Sequence, residues 1–294
     1  MYAIGLDIGG TTLKLGIVRD GTEIIYRDVC PSVHDAFGLA QTACRMLRKA
    51  WSEAPDAPAG ISCPGTFTSE GLLYANQLDL LSVPFRQLLR EETGRDLPME
   101  NDGICALLAE KHNGALMGYR TGVLVTLGTG IGGGVLIDGK PYKSFGGNHA
   151  ELGHMITHAD GERCSCGQTG CWEQYASASA LSRAAGGMAP QDVLCQVKQG
   201  RMADIWQGWL REVAQGLIGL CSIFYPQIIA VGGGLSNAGD LVVGGIRNTM
   251  EADPGFRAYY SGVRVVSTRF CNDAGIFGAA SLAVHQTAER SGES

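Results

Sequence analysis

Short apolar runs broken by glycine-rich junctions alternate along the chain with longer stretches of helical period. Residues 3–7, 13–18 and 23–29 read as β-strands, joined at Gly9-Gly10 and at Asp20-Gly21, the second a strong hairpin signal. A helical stretch at 35–53, an apolar run at 59–63, a helix at 85–93, a short strand at 97–100 and a helix at 103–117 follow. The pattern then restarts. Strands at 122–127 and 133–137 flank a glycine junction, and Asp138-Gly139 is again a hairpin turn. The longest helical stretch, 203–224, carries Ile205, Trp209, Val213, Leu217, Leu220 and Phe224 at the spacing of one buried face. A strand at 228–231, a helix at 240–251, a strand at 263–267 and a final helix from Ala274 complete the second copy.

Two copies of a β-hairpin sheet followed by alternating helices and strands predict an α/β protein of two similar lobes with a cleft between them. The boundary falls within 113–121, giving a smaller lobe over 1–115 and a larger one over 116–277, with the last helix (278–294) packing back on the first.

Composition narrows the function. At 294 residues and 45% apolar content the chain can build two cores. Its net charge of -6 argues against a general nucleic-acid binder. No apolar run is long enough to span a bilayer, and the chain opens directly into a strand, so a cytoplasmic protein with no membrane partner is expected. The 43 glycines are about twice the average share and cluster at 9–10, 128–134 and 232–234, which points to backbone approaching a ligand.

Ten cysteines divide into two groups. Cys164, Cys166 and Cys171 lie with His154 in one short segment among Gly, Ser, Glu and Arg, a set of one imidazole and three thiolates suited to a closed, structural Zn²⁺ site. The alternative is buried free thiols beside a surface histidine. Cys30, Cys44, Cys63, Cys105, Cys195, Cys221 and Cys271 sit among apolar neighbours without framework spacing and read as reduced core thiols.

Candidate chemistry lies at the junctions. After the first strand, Gly9, Gly10, Thr11 and Thr12 offer backbone N–H and hydroxyl donors for phosphate oxygens, and Asp7 could hold a hydrated Mg²⁺; a plain β-turn is the alternative. Gly128, Thr129 and Gly130 open a literal G-x-G-x-x-G, but it runs into a strand rather than a helix, so the dinucleotide reading is rejected. This turn mirrors the first, and the pair could grip a triphosphate. Gly232, Gly233 and Gly234 would let a flat base approach the backbone, or simply make a strand-to-helix turn. Asp102 ends a strand before a helix, positioned either to accept a hydroxyl proton or to cap the helix.

Together these segments resemble the ROK family of sugar kinases and related repressors, within the actin-like, hexokinase-type ATPase fold of RNase H-like lobes. The likeness covers nearly the whole chain: DIGGTTLKLG (7–16), ISCPG (61–65), END (100–102), LGTGIGGG (127–134), AELGHM (150–155), CSCGQTGCWE (164–173), VGGG (231–234) and NDAGIFGAA (272–280). The resemblance implies Asp102 as catalytic base, Asn101, Glu151, His154 and Glu173 as sugar ligands, and Gly65 and Asn76 as weaker sugar-side positions. It also implies ATP, Mg²⁺ and a homodimer. QLDL at 77–80 departs from the family pattern and leaves that wall of the pocket undefined by the resemblance, whereas Gly103 and Ala150 depart without removing a functional side chain.

The expected activity is ATP-dependent phosphorylation of a hexose, first glucose at O6. N-acetylmannosamine, N-acetylglucosamine and fructose are the alternatives, because sugars differing by one buried polar contact are not separable from sequence. A sugar-responsive repressor would carry an added N-terminal helix-turn-helix, whereas residues 3–7 already form the phosphate strand.

Overall fold

The computed structural model describes residues 1–68, 73–75, 78–144 and 149–291, the side chains of 288–291 excepted. The chain forms two compact units, one of Met1–Met117, Pro141–His149 and Asn272–Ser294, the other of Gly118–Lys140 and Ala150–Cys271. Both are α/β.

In the first unit β1 (Tyr2–Ile8), β2 (Thr12–Arg19) and β3 (Glu23–Pro31) form an antiparallel meander. β1 also pairs parallel with β4 (Ala59–Cys63). A small antiparallel sheet of β5 (Thr66–Phe67), β6 (Leu73–Ala75) and β7 (Leu80–Val83) follows, and then β8 (Met99–Asn101), parallel to β4. The main sheet runs β3-β2-β1-β4-β8. One face of its central strands is apolar (Ile4, Leu6, Ile8, Leu13, Leu15 and Ile61 are buried), whereas β3 alternates exposed and half-buried residues as an edge strand does.

One face is covered by α1 (Ala36–Glu53), whose start is capped by the Asp35 carboxylate accepting from Gly38 N and whose stripe Leu39, Ala43, Met46, Leu47 and Ala50 is buried. Also in this unit are α2 (Phe85–Thr93), ended by left-handed Gly94, and α3 (Asp102–Asn113). The C-terminal helix Ala274–Ser291 packs on β1, β4 and α3. It comes so close that a Cβ on Gly5 would lie 1.9 Å from the Ile276 carbonyl oxygen.

The second unit repeats the plan. β9 (Gly122–Leu127) is antiparallel to β10 (Ile131–Ile137) and parallel to β12 (Ile228–Gly232), which is parallel to β13 (Arg264–Ser267); with β11 (Lys140–Pro141) the order is β11-β10-β9-β12-β13. Its helices are α4 (Glu173–Ala176), α5 (Ala178–Ala184), α6 (Pro190–Lys198), α7 (Ala203–Phe224), α8 (Val243–Ala252) and α9 (Pro254–Tyr259). α7 buries a wider face than expected: Trp206, Leu210, Ala214 and Cys221 join Trp209, Val213, Leu217 and Leu220, while Ile205 and Phe224 are only half-buried.

Several expectations need correction. β10 begins at Ile131 rather than at Gly133, so Gly132 also belongs to the strand and the glycine turn shrinks to 128–130. The helix expected over 103–117 stops at Asn113, where the Glu110 carboxylate accepts from Ala115 N instead. The helix expected over 240–251 is preceded by a 3₁₀ segment, Gly234–Leu241. Cys195 and Cys271 are exposed rather than core thiols. Among the described residues no helix is long and apolar enough to cross a membrane.

Candidate active site

In the first unit, Asp7 stands near the end of β1, opposite Lys14 of β2. Its Oδ1 accepts from Ser62 Oγ at 2.8 Å, and a Cβ on Gly275 would sit 2.3 Å from its carboxyl carbon, so only a glycine lets the C-terminal helix approach there. Burial, first, and the neighbouring Asp102 and Asp273 carboxylates push Asp7 up to about 6, against the Ser62 hydroxyl and Lys14. A carboxylate raised by its neighbours in this way suits a bound cation, which would relieve the repulsion.

The turn after Asp7 faces its carbonyls inward. Gly9 O accepts from Ser32 Oγ (2.5 Å), Gly10 O faces His34 Nε2 (2.9 Å), and Thr11 O accepts from Ser32 N (3.0 Å). In a planar trans peptide the following N–H points the opposite way, so the amides of Gly10 and Thr11 are turned outward. Thr11 is exposed and Thr12 half-buried.

Asn101, not Asp102, caps α3: its Oδ1 accepts from Gly103 N (2.8 Å) and Ile104 N (3.4 Å), and its Nδ2 donates to Gly65 O (3.0 Å). Asn101 is therefore buried and keeps a single free N–H for any sugar. Asp102 is the first residue of the helix proper and is exposed. Gly65 has φ +95°, and a side chain there would strike the Tyr74 carbonyl. Asn76 lies outside the described residues. Cys63 and Cys105 are pushed far up by burial and nearby carboxylates, which leaves them inert.

In the second unit the turn at 128–130 has the same logic. Gly128 O accepts from Ala178 N at 2.8 Å, which turns the Thr129 amide outward, and Thr129 is exposed. Glu173 lies against this turn: its Oε2 accepts from Ile131 N at 3.4 Å and would be 2.5 Å from a Cβ on Gly130. Glu151 is exposed, and its carbonyl accepts from His154 N at 3.0 Å. Gly232 ends β12, and Gly233 (φ +85°) packs against the Leu127 backbone, so the turn itself accounts for that glycine; Gly234 is open.

His154, Cys164, Cys166 and Cys171 offer ligand atoms that all lie within 4.8 Å of one another. Cys166 Sγ is 3.6 Å from Cys171 Sγ, and Cys164 Sγ is 3.6 Å from His154 Nδ1. That is far beyond a disulfide bond of about 2.05 Å. It is close to the edge of a tetrahedron with metal–sulfur bonds of about 2.3 Å, so the donors fit Zn²⁺. Burial and the adjoining thiols push Cys171 up to about 12, and a metal would displace that proton. The knuckle is anchored by Trp172, fully buried, with Nε1 donating to Glu212 O of α7. Glu173 Oε1 lies 3.0 Å from Cys164 Sγ, so one carboxylate touches both metal cluster and glycine turn.

Residues 3–286 match the ROK family. The chain belongs to the ROK family. It is 32% identical to the glucokinase of Thermotoga maritima, over 95% of this chain and 96% of that one. It is 33% identical to an N-acetylmannosamine kinase of Vibrio cholerae, over 62% of this chain and 64% of that one. The structure of a ROK family glucokinase from Streptomyces griseus in complex with glucose and AMPPNP matches with a TM-score of 0.83 and 31% identity, covering 97% of this chain and all of that one. The expected actin-like ATPase fold is borne out.

Sequence reasoning missed several groups around the ROK motifs. Lys14 is half-buried with Nζ 3.3 Å from Asn272 O. Ser32, His34 and Ser62 support the turn and Asp7 from afar in sequence; no local motif marks them.

Proposed function

We propose that this chain transfers the γ-phosphoryl group of ATP to O6 of glucose, with Asp102 as the base. The chain is an ATP-dependent sugar kinase. The observation that carries the assignment is Asp102 itself: an exposed carboxylate at a helix start, with Oδ1 accepting from Gly103 N at 2.9 Å, and close enough to Asp7 to raise its pKa. Asp102 takes the O6 proton as the oxygen forms its bond to the γ-phosphorus; the bond from that phosphorus to the β–γ bridging oxygen breaks, and ADP leaves. The outward amides of the 9–12 and 128–130 turns bind phosphate oxygens, and Asp7 would hold Mg²⁺, whose charge would offset that of the phosphates. Gly232–Gly234 backbone lies toward the base. Asn101, Glu151, His154 and Glu173, with Gly65 and Asn76, bind the sugar. His154 presents Nδ1 to the metal cluster, which leaves Nε2 for a hydroxyl. Zn²⁺ serves structure, fixing the segment that bears Glu151, His154 and Glu173. Reduced thiols suit a cytoplasmic enzyme.

The likeness to the glucokinase bound to glucose and AMPPNP supports glucose as substrate. The likeness to the Vibrio cholerae enzyme favours N-acetylmannosamine as the second reading. Mg-ATP with a panel of hexoses and N-acetylhexosamines tests both: glucose is expected to give the highest kcat/KM and glucose 6-phosphate as product. A higher kcat/KM for N-acetylmannosamine would select the second reading, and no ADP release with any sugar would end both. Asp102→Asn is expected to lower kcat by about 10³-fold with sugar affinity retained; full turnover in that variant would remove the base assignment.

A further inference from the structure

We propose that His34 is a positioning residue that aims the Thr11 amide at the nucleotide. The inference rests on the kinase reading of the 9–12 turn. Three consecutive carbonyls of that turn are held by the segment after β3. Ser32 takes the outer two, its hydroxyl on Gly9 O and its N–H on Thr11 O. The middle one falls to His34, with Nε2 at 2.9 Å from Gly10 O. The peptide between Gly10 and Thr11 is the one whose N–H must face phosphate, and it follows the residue with the widest freedom of rotation. A donor on its carbonyl therefore decides which way the amide points.

The ring is itself oriented. His34 Nδ1 lies 3.3 Å from Asp79 Oδ2, in a segment fixed by fully buried Leu78. A carbonyl oxygen only accepts, so the contact with Gly10 O is made by the ring N–H on Nε2. The His34 side chain is 47% exposed, so it contributes little to core packing and its loss should leave the fold alone. Its role lies in the geometry of the turn.

The test uses the full chain with its zinc, measuring steady-state kinetics and Mg-ADP binding by calorimetry. His34→Ala is expected to raise both KM for Mg-ATP and Kd for Mg-ADP about tenfold, the loss of one good hydrogen bond. Sugar KM should stay within about twofold and Tm within about 2 °C. His34→Gln, whose amide can donate to Gly10 O, should recover most of the nucleotide affinity, and Asp79→Ala should fall between. Unchanged Mg-ADP affinity in His34→Ala would overturn the inference. So would equal losses in the Ala and Gln variants accompanied by a lowered Tm, the signature of a merely structural residue. A wild-type chain that binds Mg-ADP but phosphorylates no sugar would sink the kinase reading alone, since the affinities would still report on His34. A wild-type chain that binds no Mg-ADP would sink both.

Discussion

Asp7 carries a stability cost that its chemistry explains. Its folded pKa of about 6 lies above the ordinary value of 3.8, chiefly through burial. A raised carboxylate favours the folded state only while protonated: the contribution is full below about pH 4 and lost as pH rises through 6. Asp7→Asn cannot ionise, so it should be more stable than wild type at pH 8 by roughly 3 kcal/mol, with little difference at pH 4. Denaturant unfolding at the two pH values checks this, and a variant less stable at both would refute it. The same substitution should abolish turnover, since a neutral amide is a poor Mg²⁺ ligand. The aspartate and its glycine turn were legible because strand, turn and donors are contiguous. Ser62 and His34 were not, because each is brought to its partner by pairing and loop closure, 55 and 24 residues away. The capping alternative for Asp102 gave way for the opposite reason: cap and first helical residue are neighbours, and only backbone geometry tells that Asn101 is the cap.

The elements that sequence reading recovered best are those with a sustained period or an apolar run, such as β1, α1 and α7. β5, β6 and β7 went unseen, since strands of two to four residues carry too little alternation to register. Pattern also says nothing of how tightly elements meet. The C-terminal helix sits against β1 at backbone distance, so Gly5→Ala forces the Ile276 carbonyl away and should cost about 2–3 kcal/mol. Gly262→Ala, with nothing within 4 Å, is the matched control and should be near neutral. Equal urea midpoints for the two variants would contradict that seating. The knuckle was the most legible element, because its ligands are local and chemically distinctive. Its removal should act on binding first: a strong chelator is expected to release zinc and abolish sugar affinity before the far-ultraviolet signal changes. Metal analysis finding no zinc in active protein would end that coupling.

Two separate apolar cores underlie the duplicated plan. One, around Leu6, Leu15, Leu47 and Ile61, lies wholly within the first unit; the other, around Val125, Trp172, Leu217 and Val231, lies wholly within the second. Cores that share no residue need not melt together. Calorimetry should therefore resolve two overlapping transitions, with a van't Hoff enthalpy below the calorimetric one. Their assignment follows from what each unit holds. The His154, Cys164, Cys166 and Cys171 cluster belongs to the second unit, so if it holds zinc as proposed, chelation should lower the second unit's transition and leave the other in place. Gly5 and Ile276 both belong to the first, which is closed by the two ends of the chain, so Gly5→Ala should lower only that transition. Because the first unit is completed only by residues 272–291, the second unit has all its own residues earlier along the chain and is expected to form first during synthesis. A single transition with equal enthalpies, shifted alike by chelator and by Gly5→Ala, would show that the two cores unfold as one.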